Sequence, residues 1–172
     1  MRPGAWQKLD VASRCMTPAA LTVALVILNA VPLKIPGLTP VLPVLALIGV
    51  FHWAIYRPEL LPPSIVFVIG VLQDTLAGTP IGVYALVFLA IYGGVVLQQR
   101  FFLGKSFTIV WIGFAIVAAL SSFMTWALVA ILNGVVVDPK PVMFQYVMTV
   151  GVYPAVAWVL MRWQNAIVPA ED

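Results

Sequence analysis

The sequence predicts an all-α membrane protein with about six transmembrane helices and both termini in the cytoplasm. Hydrophobic residues make up 63% of the 172 residues and charged residues only 9%, whereas soluble domains carry about 25% charged residues. A chain of this length holds about six spans of roughly 20 residues each. No stretch remains for a soluble domain of about 50 residues or more. We therefore predict a single integral membrane domain over residues 1–172.

The first three predicted spans are bounded by cations and prolines. The run at 17–31 follows three cations, as the apolar region of a signal peptide does. No convincing small-residue cleavage site follows it, so we interpret it as a retained span. The second predicted span covers 41–56 and the third 61–76. Prolines near the start of both suit the first turn of a helix, where the missing N–H is not needed.

The last three predicted spans cover 81–97, 107–132 and 142–163. A polar Gln-Gln-Arg sequence ending at Arg100 marks the exit of the fourth span. The fifth ends before an Asn-Gly pair, which is typical of a turn. In the sixth, Pro154 predicts a kink because proline removes a helical hydrogen bond.

The distribution of lysine and arginine predicts the topology. Seven cations fall in the segments that are inner when the N-terminus is cytoplasmic, whereas only Lys34 and Lys140 fall in the outer segments. Cations are retained on the cytoplasmic side during insertion, so both termini are expected there. The cations are dispersed along the chain, and we therefore expect no nucleic-acid partner. The seven are Arg2, Lys8, Arg14, Arg57, Arg100, Lys105 and Arg162.

The most informative stretch lies at the end of the third span and in the turn after it. Gly70, Asp74, Gly78 and Gly82 recur at every fourth position, and Pro80 lies between the last two. A carboxylate at the edge of the hydrocarbon is costly without partners. Gly70 and Asp74 share one helix face, so the glycine gives a neighbouring backbone room to approach. We predict that the helix ends after Asp74 and that N–H groups of the turn bind its carboxylate.

No residue pattern predicts catalysis, a cofactor or a metal site. The sequence has no Ser/His/Asp set, no phosphate loop and no metal-ligand spacing of Cys and His. It contains one cysteine, Cys15, and one histidine, His52. A proton relay through His52 and Tyr56 is conceivable because they lie one helical turn apart. We interpret His52 as a packed or interfacial residue, since no further partner is evident in the sequence.

The stretch from Phe51 to Arg100 resembles the MreD family of rod-shape-determining membrane proteins. The resemblance rests on Arg57-Pro58, on the glycine and aspartate pattern described above, and on the apolar run to Tyr92. It implies a non-enzymatic scaffold of the cell-elongation complex in the bacterial inner membrane, with a role in cell shape and peptidoglycan synthesis. It also implies binding to the bitopic protein MreC and, through it, to the MreB cytoskeleton and the peptidoglycan synthases.

The fold of that family is similar to the substrate-binding components of energy-coupling-factor vitamin importers, and this supplies an alternative function. A vitamin site needs several polar or aromatic groups that converge in a pocket. Besides Asp74, the predicted outer side offers few such groups, chiefly Asn29, Thr79, Tyr84, Asn133 and Asp138. We therefore favour the scaffold, in which the residues from Gly70 to Gly82 form a structural or partner-binding motif.

Overall fold

The computed structural model describes residues 18–29, 42–135 and 138–167, and these residues form six α-helices and one short 3-10 helix. The topology predictions for Lys34 and for the three cations before residue 17 concern residues outside these ranges, as does Cys15. The helices are α1 (Pro18–Asn29), α2 (Leu45–Tyr56), α3 (Pro63–Ala77), α4 (Val83–Phe102), α5 (Phe107–Asn133) and α6 (Lys140–Ile167), and the 3-10 helix is Pro58–Leu60.

Three of the helices are long and apolar enough to cross a membrane, namely α4, α5 and α6. The other three are shorter apolar helices, and one helix lies within each predicted span apart from differences at the ends. No strand is present in the described part of the chain. The prediction of an all-α, polytopic membrane protein is confirmed.

The short helix α2 lies at the centre of the described structure. All of its 12 residues except Tyr56 are buried, and it packs against α3, α4, α5 and α6. A helix of this length is only about 18 Å long, less than the roughly 30 Å of hydrocarbon in a bilayer. Because protein surrounds it, α2 does not need to match that thickness. The predicted second span begins earlier, at residue 41, but residues 42–44 are not helical.

An aromatic cluster joins α2 to α4, α5 and α6. The ring of Phe51 lies 5.2 Å from that of Phe114 and 6.1 Å from that of Tyr153, measured between centroids. Phe102 joins the cluster at 6.0 Å from Phe51 and lies directly against Gly113. This packing explains why α4 continues beyond Leu97, where the fourth span was predicted to end, because the burial of Phe102 favours one more helical turn.

Candidate functional site

Helix α3 ends one turn after Asp74, as predicted. Gly78 adopts a left-handed conformation with φ of +68°, and its N–H donates to the carbonyl oxygen of Asp74. The N–H of Thr79 donates to the same oxygen at 3.1 Å. A glycine in this conformation commonly ends a helix because other residues are strained there. The chain therefore turns sharply just beyond the carboxylate.

The side chain of Asp74 is completely buried and accepts three hydrogen bonds. Its Oδ1 accepts from Thr79 Oγ1 at 2.8 Å and from the N–H of Tyr84 at 2.9 Å, and its Oδ2 accepts from the N–H of Gly82 at 2.8 Å. Hydrogen bonds to a charged acceptor are stronger than bonds between neutral groups. The prediction that N–H groups of the turn bind Asp74 is confirmed.

Asp74 caps the start of α4 from the end of α3. Gly82 is the N-cap residue of α4 and has no side chain to cap its own helix. The N–H groups at the start of a helix lack partners within the helix, and the positive end of the helix dipole attracts an anion. The carboxylate of Asp74 supplies both the hydrogen-bond acceptor and the charge. Pro80 closes the turn, and its carbonyl oxygen accepts from the N–H of Val83 at 3.3 Å.

Gly70 allows α3 and α4 to approach each other beside this cap. A Cβ built on Gly70 would lie 2.4 Å from Cα and 2.7 Å from N of Ala85, and 2.9 Å from the carbonyl oxygen of Tyr84. Any side chain at Gly70 would therefore push the first turn of α4 away from Asp74. The close backbone approach that the sequence predicts is present, and the approaching backbone is the first turn of α4.

Two residues of α6 that the sequence analysis did not single out extend this network. The side chain of Gln145 lies beside that of Tyr84, and Nε2 of Gln145 donates to the carbonyl oxygen of Leu42 at 3.1 Å. One turn later, Thr149 Oγ1 accepts from the N–H of Val44 at 3.0 Å. The available signal was a pair of polar residues four apart in an apolar helix, which places both on one face.

The network holds irregular backbone in place, and both oxygens of the Asp74 carboxylate are occupied by hydrogen bonds within the chain. Irregular backbone at membrane depth is tolerated only where protein or water satisfies its polar groups. Asp74 does this for the turn between α3 and α4, and Gln145 and Thr149 do it for residues 42–44. The arrangement therefore has the chemistry of a structural brace that joins α3, α4, α6 and the segment before α2.

The other residues considered from sequence lie outside this network. His52 is buried, and its ring lies 5.4 Å from that of Trp53 and 4.8 Å from that of Tyr56. Asp138 accepts a hydrogen bond from the N–H of Lys140 at the start of α6, and Asn133 is exposed at the end of α5. Among the described residues, no group of three or more His, Cys, Asp or Glu side chains forms a metal site.

A separate cavity of about 340 Å³ lies between α5 and α6. Among the residues that the structure describes, side-chain hydroxyls in the lining come from Ser122 and Tyr146. The rest of this described lining is apolar apart from the indole N–H of Trp126 and includes no charged residue. The lining residues are Ala119, Ser122, Phe123, Trp126, Pro139, Val142, Met143 and Tyr146. An apolar group therefore fits this cavity better than a polar one.

Comparisons with known proteins identify the family. No curated protein and no solved structure matches the chain. The family model of the rod shape-determining protein MreD matches residues 12–163, which is most of the chain and includes the whole Asp74 network. The chain therefore belongs to the MreD family of membrane proteins, and its role lies in rod-shape determination.

Proposed function

We propose that this protein is a non-enzymatic, multi-pass scaffold of the cell-elongation complex in the bacterial inner membrane. In this proposal it binds an MreC-like bitopic membrane protein and, through that partner, acts with the MreB cytoskeleton and the peptidoglycan synthases. The observation that carries the proposal is the Asp74 network. A buried carboxylate whose two oxygens both accept hydrogen bonds from the same chain stabilises a shape.

The part of the site that a partner would contact is the turn between α3 and α4. Ile81, at the tip of this turn, is 75% exposed, whereas Asp74 beneath it is fully buried. The hydrogen bonds to Thr79 and Gly82 hold the turn on both sides of Ile81. A surface that is already ordered loses less conformational entropy on binding, so its contacts contribute more to affinity.

The alternative function, a substrate-binding subunit of a small-molecule importer, has less support. Asp74, Thr79 and Tyr84 were three of the polar groups expected for a vitamin pocket. The side chains of Asp74 and Thr79 bond to each other, the backbone N–H of Tyr84 donates to Asp74, and Asp138 accepts from the start of α6. A polar ligand would have to displace these bonds, at a cost of about 1–3 kcal/mol for each buried group left unpaired.

The experiment is co-purification of the MreC-like partner with Asp74 variants at matched abundance in the membrane. Asp74→Asn keeps the shape and one acceptor oxygen but loses the charge, so we expect weaker partner recovery. Asp74→Leu removes all three hydrogen bonds, each worth about 1.5–3 kcal/mol to a charged group, and should nearly abolish recovery. Asp138→Asn, an exposed acid at the same end of the protein, is the matched control and should retain the partner.

A second variant separates contact from folding. Ile81→Ser alters the tip of the turn and leaves the Asp74 hydrogen bonds intact, because it changes neither donor nor acceptor. We expect reduced partner recovery with unchanged thermal stability. If both Asp74→Leu and Ile81→Ser retain the partner as well as the unmutated protein does, the turn is not the contact surface and the proposal is wrong.

A further inference from the structure

Positive charge is concentrated at the end of the structure opposite the Asp74 turn. The only carboxylate there among the described residues belongs to Glu59, which lies 3.8 Å from Arg57. At the Asp74 end, the described residues include one cation, Lys140, against two carboxylates, Asp74 and Asp138. The cations at the opposite end are Arg57 after α2, Arg100 in the last turn of α4, Lys105 between α4 and α5, and Arg162 near the end of α6.

Three of these cations are exposed and form no ion pair with the described residues, namely Arg100, Lys105 and Arg162. We call them the basic rim. Charged groups avoid hydrocarbon, so cations at the ends of membrane helices lie at the level of the lipid headgroups. Arg100 is additionally favoured at the C-terminal end of α4, where the helix dipole is negative. The rim is therefore a set of accessible positive charges at one membrane surface.

Two cations of the basic rim lie over exposed aromatic rings. Nζ of Lys105 lies 5.8 Å from the ring centroid of Phe101, and Cζ of Arg162 lies 5.3 Å from that of Trp158. These rings are 61% and 62% exposed. A cation over a ring face is attracted to it and keeps its outer side open to an anion. Each pair thus presents a positive charge beside an apolar surface.

We propose that the basic rim binds the phosphate groups of anionic phospholipids, with the first methylene groups of the acyl chains on Phe101 and Trp158. An anionic phospholipid has the same two-part chemistry as each pair, a negative head beside an apolar tail. A cation near an anionic lipid surface strengthens binding by about fivefold. The proposal gives these cations a lipid-binding role in addition to their role as topology signals, and it is independent of partner binding.

The test uses the full-length protein in dioleoyl phosphatidylcholine vesicles and measures quenching of tryptophan fluorescence by brominated lipids. Trp158 lies beside Arg162 of the basic rim, so a brominated lipid bound there quenches its fluorescence. We expect brominated phosphatidylglycerol to quench more strongly than brominated phosphatidylcholine at the same mole fraction. Substituting all three cations (R100Q, K105Q and R162Q) should remove most of this selectivity, and added salt should reduce it because salt screens exposed charges.

Two controls make the outcomes decisive. Lys140→Gln removes one cation at the opposite end and should leave the selectivity unchanged, whereas the charge-preserving pair R100K and R162K should retain it. Equal quenching by the two lipids in the unmutated protein overturns the proposal, and so does unchanged selectivity in the triple variant. A third outcome also overturns the proposal. If the unmutated protein shows no lipid selectivity but co-purifies with an acidic protein that the triple variant loses, the basic rim binds protein instead of lipid.

Discussion

Replacing Gly70 with alanine should separate α3 from α4 at the Asp74 site. The new Cβ would lie 2.4 Å from Cα of Ala85, whereas ordinary van der Waals contact begins at 3.4 Å. The first turn of α4 must therefore retreat by about 1 Å to restore normal contact. That shift stretches the bonds of 2.8 and 2.9 Å from the N–H groups of Gly82 and Tyr84 to Asp74, beyond the range of a strong hydrogen bond.

The expected loss of stability follows from three terms. Overpacking a well-packed contact costs about 1–3 kcal/mol, and each weakened bond to the carboxylate costs up to about 1.5–3 kcal/mol. The first two terms are not additive, because the retreat of α4 relieves the clash while it stretches the bonds. The higher helix propensity of alanine relative to glycine offsets this loss by about 1 kcal/mol. We expect a net loss of about 3 kcal/mol, which lowers the Tm of a domain of this size by about 6–12 °C.

The assay is thermal unfolding in detergent, followed by tryptophan fluorescence. Gly93→Ala is the matched control, because Gly93 lies on an exposed face of α4 and a Cβ there meets nothing within 4 Å. It should keep or slightly raise the Tm through the same gain in helix propensity. If Gly70→Ala unfolds at the same temperature as the unmutated protein, α3 and α4 do not meet as described and Asp74 does not depend on their contact.

Three further predictions concern other parts of the molecule. Thr149→Val should lower the Tm, because the buried N–H of Val44 loses its acceptor at a cost of about 1–3 kcal/mol; an unchanged Tm would mean that another group satisfies this N–H. In a background without the native cysteine, Ile81→Cys should react with an impermeant thiol reagent only from outside the cell and Arg100→Cys only from inside. The reverse labelling pattern would contradict the charge-based topology. His52→Phe should preserve rod shape, because it keeps a ring that packs against its aromatic neighbours; loss of rod shape at normal abundance would show that the imidazole nitrogens are required.

The sequence predicts the Asp74 site well because the site is local. Gly70, Asp74, Gly78 and Gly82 lie within one helix end and one turn, where helix periodicity and the φ preferences of glycine decide the geometry. The contribution of α6 was not predicted for the opposite reason. Gln145 lies 103 residues from Leu42, and helix periodicity reveals which residues share a face but not which helix that face contacts.

The central position of α2 could not be predicted from hydropathy. A buried helix and a lipid-facing helix are both apolar, because lipid tails are as apolar as a protein core. All six spans are therefore alike in sequence, although α2 is almost wholly buried and only four of the 27 residues of α5 are buried. The predicted end of α4, at Leu97, is too early for a related reason. The polar residues up to Arg100 indicate the end of the span, but Phe102 follows them and is buried against Phe51 of another helix, which the local sequence does not reveal.

The bonds from α6 to the segment before α2 have a consequence for biogenesis. The N–H of Val44 and the carbonyl of Leu42 find their partners on Thr149 and Gln145, more than 100 residues later in the chain. When α2 leaves the ribosome, these backbone groups have no such acceptor or donor, and they must stay hydrated or bound by an insertion factor until α6 arrives. Maturation of the amino-terminal half therefore waits for the last helix to be synthesised.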